Sequence, residues 1–277
     1  MSDRAPGLAR ALVHIGLGLF VVVAVAAPWS ALALSNLRFS PHVPWALPAG
    51  IAYVVLAVAY LDGRGWPNST SAVRRRDFRA RPLPLPEFGW ALLAGAAAVA
   101  ALWAFYVASG SLSAHAPQRS EVGLSPVFLI GAIFIGAAVT AIAEEGGLRG
   151  FMQAPLERLV GPVPAIATTS LLFVLIHLSH GVEALARNGL YYLAAGVVYG
   201  LLAYLTQSIL PSLLLHFLGD LLTFGLGSSL VRLAGPRGVG PRMFLVIFAL
   251  LVAAGSAVAF FRLARLTAGR RRQEGHP

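Results

Sequence analysis

Ala138–Gln153 reads AVTAIAEEGGLRGFMQ, an apolar helical run that ends in two adjacent carboxylates followed by an arginine. Acidic side chains at the end of a membrane-type segment are costly and mark a functional site by default. Glu145 and Arg149 are four residues apart with the acid first, which is the favourable order for a helical ion pair. Glu144 lies about 100° round the helix from Glu145. One carboxylate is therefore predicted to be paired, and the other to be available to a second partner.

The composition of the chain is that of a membrane protein. Of its 277 residues, 57% are hydrophobic and 12% are charged, whereas soluble domains are about 25% charged. The chain contains no cysteine, which excludes disulfides and thiolate metal sites. All 21 basic residues are arginines and the formal net charge is +10. Because the arginines cluster beside apolar segments, they indicate orientation in a bilayer and not nucleic-acid binding.

Eight apolar segments predict an all-α polytopic membrane helical bundle of about eight transmembrane helices, forming a single membrane domain over residues 1–277. The predicted spans are Ala11–Leu34, Trp45–Leu61, Trp90–Ala108, Val127–Ala143, Val163–Leu178, Leu190–Leu205, Leu210–Leu226 and Met243–Phe261. After the fourth span, Gly150–Val160 carries apolar residues among polar ones, which predicts an amphipathic helix at the membrane interface.

The long polar segment over residues 62–89 is predicted to be a basic, proline-stiffened cytoplasmic loop on an anionic leaflet. With eight spans, this loop and both termini share one side with 15 of the 21 arginines. The positive-inside rule then places both termini in the cytoplasm. We therefore expect a multi-pass protein of the cytoplasmic membrane.

His177, His216 and Asp220 stand out beside the two glutamates because each lies in an apolar run of its own. His216 and Asp220 are four residues apart and share a helix face, as do Phe173 and His177. Taken singly, each has a structural explanation as a hydrogen-bonded core residue, a capping carboxylate or half of an ion pair. Three separate segments that direct polar groups inward favour a common site, since helical bundles build sites from facing helices.

Three classes of intramembrane protease do not fit the sequence. It contains no His-Glu-x-x-His zinc helix, and the fragment Leu61-Asp62-Gly63 lacks its partner motif. Asp220 follows Phe217-Leu-Gly, which departs from the Gly-x-Gly-Asp aspartyl motif, and no second intramembrane aspartate completes a dyad. Ser228 lies in a Gly-Leu-Gly-Ser stretch and not in the Gly-x-Ser-Gly of a rhomboid-like serine site.

The remaining pattern resembles the CPBP family of intramembrane proteases, which includes the eukaryotic type II CAAX-prenyl endopeptidase. The family's three motifs occur in order and on separate spans: Glu144-Glu145-x-x-x-Arg149, Phe173-x-x-x-His177 and His216-x-x-x-Asp220. The first motif continues through the family's Arg-Gly-x-x-Gln extension to Gln153. The motif-bearing core covers residues 126–226, while the first three spans and the last carry no family signal.

This resemblance implies an enzyme, a hydrolase that cleaves a peptide bond in a membrane-associated or lipidated substrate. It implies that Glu144, helped by His177, is the general base that activates a water molecule. His216 and Asp220 would then stabilise the developing oxyanion. The supporting residues would be Glu145, Arg149 and Phe173.

The resemblance leaves metal dependence open. Glu144, His177 and His216 form a candidate ligand set for zinc or another divalent metal, which would make the protein a metalloprotease. A metal-free mechanism uses the same residues. Asp220 has three candidate roles, because an ionised aspartate only accepts hydrogen bonds. It is a protonated oxyanion donor, a carboxylate that orients His216, or a cation ligand.

The predicted partners are a peptide or membrane-protein substrate and the lipid bilayer, with no nucleic acid. The alternative is a non-catalytic family member that acts in bacteriocin self-immunity or as a membrane binding or regulatory protein. A proton-coupled transporter is disfavoured, because the chain shows no internal repeat and few intramembrane acids. Loss of protease activity in Glu144→Gln would separate the protease from both alternatives.

Overall fold

The structure is a computed structural model that describes residues 4–109, 125–234 and 239–273, and these ranges contain helices and short connections but no strand. The α-helices are α1 (Arg4–Phe39), α2 (Ala46–Leu61), α3 (Ser71–Phe78), α4 (Leu85–Ala108), α5 (Pro126–Glu144), α6 (Ala154–Val160), α7 (Pro162–Ile176), α8 (Val182–Thr206), α9 (Leu210–Ala234) and α10 (Val239–Gln273). A 3₁₀ turn (Asn68–Thr70) precedes α3, a π-helix (Glu145–Gln153) joins α5 to α6, and a second 3₁₀ turn (His177–His180) follows α7. The predicted all-α polytopic bundle is confirmed.

Six helical stretches of the described chain are long and apolar enough to cross a membrane. They are Gly7–Phe39, Leu85–Ala108, Pro126–Val160, Pro162–His180, Val182–Thr206 and Gly240–Arg270. The other two predicted spans are shorter apolar helices, Ala46–Leu61 and Leu210–Phe224. The 16 residues of α2 rise about 24 Å, less than the ~30 Å hydrocarbon core of a bilayer.

The protein is therefore a multi-pass membrane protein, and all eight predicted segments are helical. Six of them have the length of a full span, so the arrangement with eight spans and cytoplasmic termini stays a prediction. Arg119 and Arg237, which that arrangement places on the opposite side, lie outside the described residues.

The helices group into two compact units. The first contains α1, α2, α3, α5, the π-helix, α6 as far as Leu159, and residues 216–228 of α9. The second contains α4, α7, α8, residues 210–215 at the start of α9, and α10. The prediction of a single domain over residues 1–277 stays a prediction.

The helix that begins with α5 continues without a break through Gln153. The π-helix follows Glu144 directly, and all residues from 145 to 156 are buried. The prediction of an interfacial amphipathic helix over Gly150–Val160 is therefore wrong for most of that range, and only residues 158–160 are exposed. A π-helix is rare and often occurs at functional sites, so a π-helix that begins at Glu145 supports a functional role for the glutamate pair.

Glycines in the π-helix let two other helices approach its backbone. A Cβ atom added to Gly147 would lie 2.6 Å from the carbonyl oxygen of Gly18 in α1. A Cβ atom added to Gly150 would lie 2.9 Å from the carbonyl oxygen of Asp77 in α3. Both distances are shorter than ordinary van der Waals contact, so only glycine permits this packing. The π-helix is thus enclosed by α1 and α3 of the first unit.

Replacement of Gly18 by alanine is expected to destabilise the protein. Its Cβ atom would lie 2.7 Å from the carbonyl oxygen of Gly147 and from the Cβ atom of Met152, so one backbone must move. Gly16 on the same helix has no atom within 4 Å of its Cβ position, and alanine favours a helix by about 1 kcal/mol over glycine. Thermal unfolding in detergent should give a lower melting temperature for Gly18→Ala and an unchanged or higher one for Gly16→Ala. Equal melting temperatures would contradict the close contact.

The predicted basic loop is largely a structured element. Four residues at and after α3 are buried, namely Arg74, Asp77, Phe78 and Arg79. The Arg74 guanidinium donates hydrogen bonds to the backbone carbonyl oxygens of Tyr60, Arg64, Gly65 and Pro67. The prediction of a loop is therefore wrong for α3, while the place of this segment on an anionic leaflet stays a prediction. Arginine has five N–H donors, and here they bind carbonyl groups of the chain and the Thr70 hydroxyl.

Asp77 is the charged residue that ties α3 to α6. Its Oδ1 accepts hydrogen bonds from Arg76 Nε at 2.8 Å and from an Arg158 guanidinium nitrogen at 2.9 Å. Burial raises the pKa of Asp77, but the hydrogen bonds from Arg76 and Arg158 outweigh this effect and hold the pKa below its ordinary value. His14 of α1 also interacts electrostatically with this carboxylate.

The stability of the protein is expected to fall in acid partly because of Asp77. A carboxyl group with a lowered pKa in the folded state stabilises the fold above its unfolded pKa of about 3.9, and this stability is lost as the pH falls through the folded pKa. Asp77→Asn should therefore lose less stability than wild type when the pH is lowered through this range. Asp62→Asn is the control, since the Asp62 carboxylate has a 4.0 Å ion pair with the exposed Arg64. Identical acid profiles for wild type and Asp77→Asn would contradict the prediction.

The second unit is held by contacts between α4 and α10 and between α7 and α8. Glu87, which was predicted to lie in the loop, is inside α4 and its Oε1 is 2.8 Å from Arg270 Nε in α10. Ser256 of α10 donates a hydrogen bond to the carbonyl oxygen of Ala94 at 2.8 Å. Gly196 of α8 lies against α7, because an added Cβ atom would be 3.1 Å from Ser170 Cα.

Candidate functional site

Five of the predicted site residues come together in the first unit. Two helical stretches supply them, the junction of α5 with the π-helix and the part of α9 that belongs to this unit. The residues are Glu144, Glu145, Arg149, His216 and Asp220. The local order of the sequence explains this in part, since residues four apart on a helix share a face.

The predicted ion pair between Glu145 and Arg149 is present. The Arg149 Nη1 atom lies 3.3 Å from Glu145 Oε1, and both side chains are 0% exposed. The same Glu145 oxygen lies 3.0 Å from His216 Nδ1. Because a carboxylate only accepts hydrogen bonds, His216 Nδ1 carries the hydrogen and donates it. Glu145 therefore fixes the orientation of the imidazole ring.

The other nitrogen of His216 faces the remaining two carboxylates. His216 Nε2 lies 3.8 Å from Glu144 Oε2 and 3.7 Å from Asp220 Oδ2. These distances exceed direct hydrogen bonds. Both carboxylate oxygens are buried and make no hydrogen bond within the described part of the chain. With Nδ1 protonated, Nε2 is an acceptor in the neutral ring and a donor in the imidazolium ion.

Glu144 Oε2, Asp220 Oδ2 and His216 Nε2 are close enough together to exchange a proton with a molecule bound between them. Glu144 and Asp220 have side chains that are 13% and 17% exposed, so a small polar group can reach them while most of each side chain is buried. Two carboxylate oxygens and an imidazole nitrogen that converge in this way are suited to general acid and base chemistry. The predicted distinction between a paired Glu145 and an available Glu144 agrees with this geometry.

His177 and Phe173 belong to the second unit. His177 Nδ1 donates a hydrogen bond to the Phe173 carbonyl oxygen at 2.7 Å, which leaves Nε2 as the acceptor nitrogen of the neutral ring. The imidazole is stacked on the Tyr192 ring with 3.8 Å between centroids, and the Phe173 ring is 4.8 Å away. The shared face of Phe173 and His177 is confirmed, while the role of His177 beside Glu144 stays a prediction.

The arrangement of the side chains bears on the predicted metal ligand set. Among the described residues, no group of three or more His, Asp or Glu side chains is arranged to hold a metal ion. A metal bound by Glu144, His177 and His216 therefore stays a prediction.

The sequence did not predict a buried ion pair that lies beyond the C-terminal end of the π-helix. Arg79 donates two hydrogen bonds to Glu157, at 3.2 and 2.7 Å, and both side chains are buried. Gln153, the last residue of the π-helix, donates to the same carboxylate at 2.8 Å. The spacing of Gln153 and Glu157 was a usable signal, because residues four apart pair on a helix. The contact with Arg79 could not be found from local spacing.

The first unit also contains an apolar cavity, and one of its lining residues is adjacent in sequence to His216. Its volume is about 370 Å³. The cavity is lined by Leu47, Ile51, Val54 and Val55 of α2, by Gly131, Phe134, Ile135 and Ala138 of α5, and by Phe217 of α9. Phe217 directly follows His216, and its ring centroid is 6.5 Å from that of Phe134. One side chain of the cavity wall is therefore the immediate sequence neighbour of a site residue.

The fold and the cluster define a class of protein, a multi-pass membrane protein with a buried Glu/His/Asp site. Residues 125–222 match the family model described as Type II CAAX prenyl endopeptidase Rce1-like. These residues are therefore similar to the Rce1-like family, and the resemblance shown by the three motifs is confirmed. The match supports a CAAX-type endopeptidase kind of function. No curated protein and no solved structure matches the chain.

Proposed function

We propose that this protein is an intramembrane endopeptidase that hydrolyses a peptide bond in a membrane-associated substrate with Glu144 as its general base. The observation that carries the proposal is the convergence of Glu144 Oε2 and Asp220 Oδ2 on His216 Nε2, at 3.8 and 3.7 Å. The motifs and the family match over residues 125–222 support the same reaction.

In the proposed mechanism Glu144 takes a proton from a water molecule as the water oxygen attacks the scissile carbonyl carbon. The new C–O bond produces a tetrahedral intermediate whose negative charge lies on the former carbonyl oxygen. His216 donates to this oxyanion through Nε2, which its Nδ1 contact with Glu145 keeps pointed away from that carboxylate. Preorganised donors of this kind contribute about 3–4 kcal/mol each in well-measured enzymes.

The intermediate then collapses and the C–N bond breaks. The proton held by Glu144 passes to the leaving nitrogen, so the products are an amine and a carboxylic acid, which loses its proton to solvent, and the enzyme is regenerated. Asp220 is proposed to hold His216 in its imidazolium form, since the carboxylate lies 3.7 Å from Nε2. His177 is proposed to assist Glu144, which rests on the family resemblance.

The apolar cavity supports a substrate with an apolar part. A cavity of about 370 Å³ whose lining residues are all apolar suits hydrocarbon, because it offers an isoprenoid chain close van der Waals contacts and no polar group to desolvate. The family description names a CAAX prenyl endopeptidase, so a peptide with an attached isoprenoid is our proposed substrate class. The arginine distribution supports a location in the cytoplasmic membrane with both termini in the cytoplasm.

The experiment uses purified protein in liposomes and two peptides of identical sequence, one carrying an isoprenoid on its cysteine and one without it. Mass spectrometry of the products should show cleavage, with the lipidated peptide cleaved faster. Equal cleavage of both peptides would contradict the lipidated substrate class, and cleavage of neither would favour the binding or immunity function. A chelator arm decides metal dependence: loss of cleavage that zinc restores would assign a metal to the site, and full retention would assign the metal-free mechanism.

A further inference from the structure

The π-helix that carries Glu145 is enclosed by an element outside the segment that matches the family. Helix α3 and Arg79 precede residue 125, where the family match begins. Phe78, the last residue of α3, is 1% exposed. Its ring lies over Gly146, since an added Cβ atom there would be 3.1 Å from Phe78 Cε2. It also packs against Phe151, with 6.4 Å between ring centroids.

Two further contacts fix α3 in this position. The backbone of α3 lies directly on Gly150, where an added Cβ atom would be 2.9 Å from the Asp77 carbonyl oxygen and 3.1 Å from that of Phe78. Arg79 has a left-handed backbone with φ of 61°, and its guanidinium forms the paired hydrogen bonds to Glu157. The Phe78 ring thus contacts the first turn of the π-helix, and the Arg79–Glu157 ion pair lies just beyond its end, where Gln153 donates to the same carboxylate.

This arrangement matters for the site because the π-helix begins directly after Glu144. A π-helix has i→i+5 hydrogen bonds and rarely persists without support from its surroundings. Relaxation of the first turn toward α-helical geometry would rotate Glu145 relative to Glu144 and move the carboxylate that orients His216. Catalysis is sensitive to such movement, since a displacement of about 1 Å can cost about 10²-fold in rate.

We propose that Phe78 is a positioning residue, which holds the first turn of the π-helix so that Glu144 and Glu145 face His216 with their two different roles. The effect on catalysis rests on the proposed function. The effect on the π-helix does not, because it is a statement about packing. Phe78 is not a catalytic residue, because a phenyl ring has no group that transfers a proton, and its ring lies against Gly146 and Phe151.

The test compares Phe78→Leu with Phe128→Leu. Phe128 is a matched control because it is 3% exposed in the same unit and lies at the opposite end of α5. Both variants should lose similar melting temperature. We expect Phe78→Leu alone to lower kcat by roughly tenfold or more, with KM within about twofold of wild type. Amide hydrogen exchange over residues 145–153 should become about tenfold faster in Phe78→Leu and stay unchanged in Phe128→Leu.

A second substitution distinguishes positioning from general damage. Gly146→Ala adds a methyl group on the side where Phe78→Leu removes ring atoms, so the double variant should recover part of the lost kcat and of the exchange protection. Unchanged exchange in Phe78→Leu, or a double variant worse than the two single effects combined, would overturn the proposal. If wild type cleaves no peptide, the proposed function fails, and the exchange comparison still decides whether Phe78 holds the π-helix.

Discussion

Replacement of Glu144 by glutamine is expected to abolish peptide cleavage while the protein stays folded. Glutamine has the same shape as glutamate but cannot accept a proton from water, and loss of a general base lowers a rate by about 10²–10⁴-fold. Stability should be nearly unchanged, because Glu144 Oε2 makes no hydrogen bond within the described part of the chain. Cleavage rates and melting temperatures of the purified variant and wild type measure both effects.

Glu183→Gln is the matched control for this prediction. Glu183 lies at the start of α8 with a side chain that is 78% exposed, and its partner is Arg187 on the same helix. The same chemical change at this position should leave cleavage unchanged. Full activity of Glu144→Gln would show that another group is the base, and loss of folding in Glu144→Gln would show that the carboxylate has a structural role.

Replacement of Arg149 by methionine is expected to produce the largest loss of stability. Arg149 and Glu145 are both 0% exposed, so the substitution leaves a buried carboxylate without its arginine. Removal of one partner of a buried ion pair destabilises a protein by about 3–5 kcal/mol. The melting temperature in detergent and the yield of folded protein should both fall clearly.

An exposed ion pair with the same spacing is the control for the Arg149 prediction. Arg187 forms the same four-residue pair with Glu183 on the surface of α8, and exposed pairs of this kind contribute little. Arg187→Met should therefore be nearly neutral. The double variant Glu145→Gln/Arg149→Met should be more stable than Arg149→Met alone, since it removes both charges. If Arg149→Met is as mild as Arg187→Met, the buried pair does not have the structural importance that its burial implies.

Local helical geometry explains which parts of the site could be predicted from the sequence. The apolar runs predicted helices in all eight places, because a segment that spans a bilayer must satisfy its backbone hydrogen bonds internally. The pairs Glu145–Arg149 and His216–Asp220 followed from a spacing of four residues. The availability of Glu144 followed from its rotation of about 100° from Glu145.

The surroundings of the site could not be predicted in this way. The amphipathic pattern of Gly150–Val160 is typical of an interfacial helix, but α1 and α3 cover this stretch because glycines allow close contact between backbones. The arginines of the polar segment suggested a lipid surface, yet Arg74 binds carbonyl groups and Arg79 binds Glu157. Such contacts join residues far apart in the chain, and spacing along one helix carries no information about them.

The π-helix shows most clearly how tertiary packing can change the local structure that a sequence predicts. A sequence with Glu145 and Arg149 four residues apart predicts an α-helical turn, and their ion pair is indeed present at 3.3 Å. Glycine is a poor α-helix former, by about 1 kcal/mol relative to alanine, and three glycines lie between residues 145 and 151. They weaken the α-helical alternative and provide the space that Phe78 and α1 occupy.

The most direct test of the account is hydrolysis in water enriched in oxygen-18, with wild type and Glu144→Gln incorporated in liposomes beside a membrane-presented peptide library. Wild type is expected to produce fragments with oxygen-18 in their new carboxyl termini, and Glu144→Gln is expected to produce none. Intact peptides with wild type, or equal cleavage by both proteins, would contradict the claim that Glu144 activates water for peptide hydrolysis.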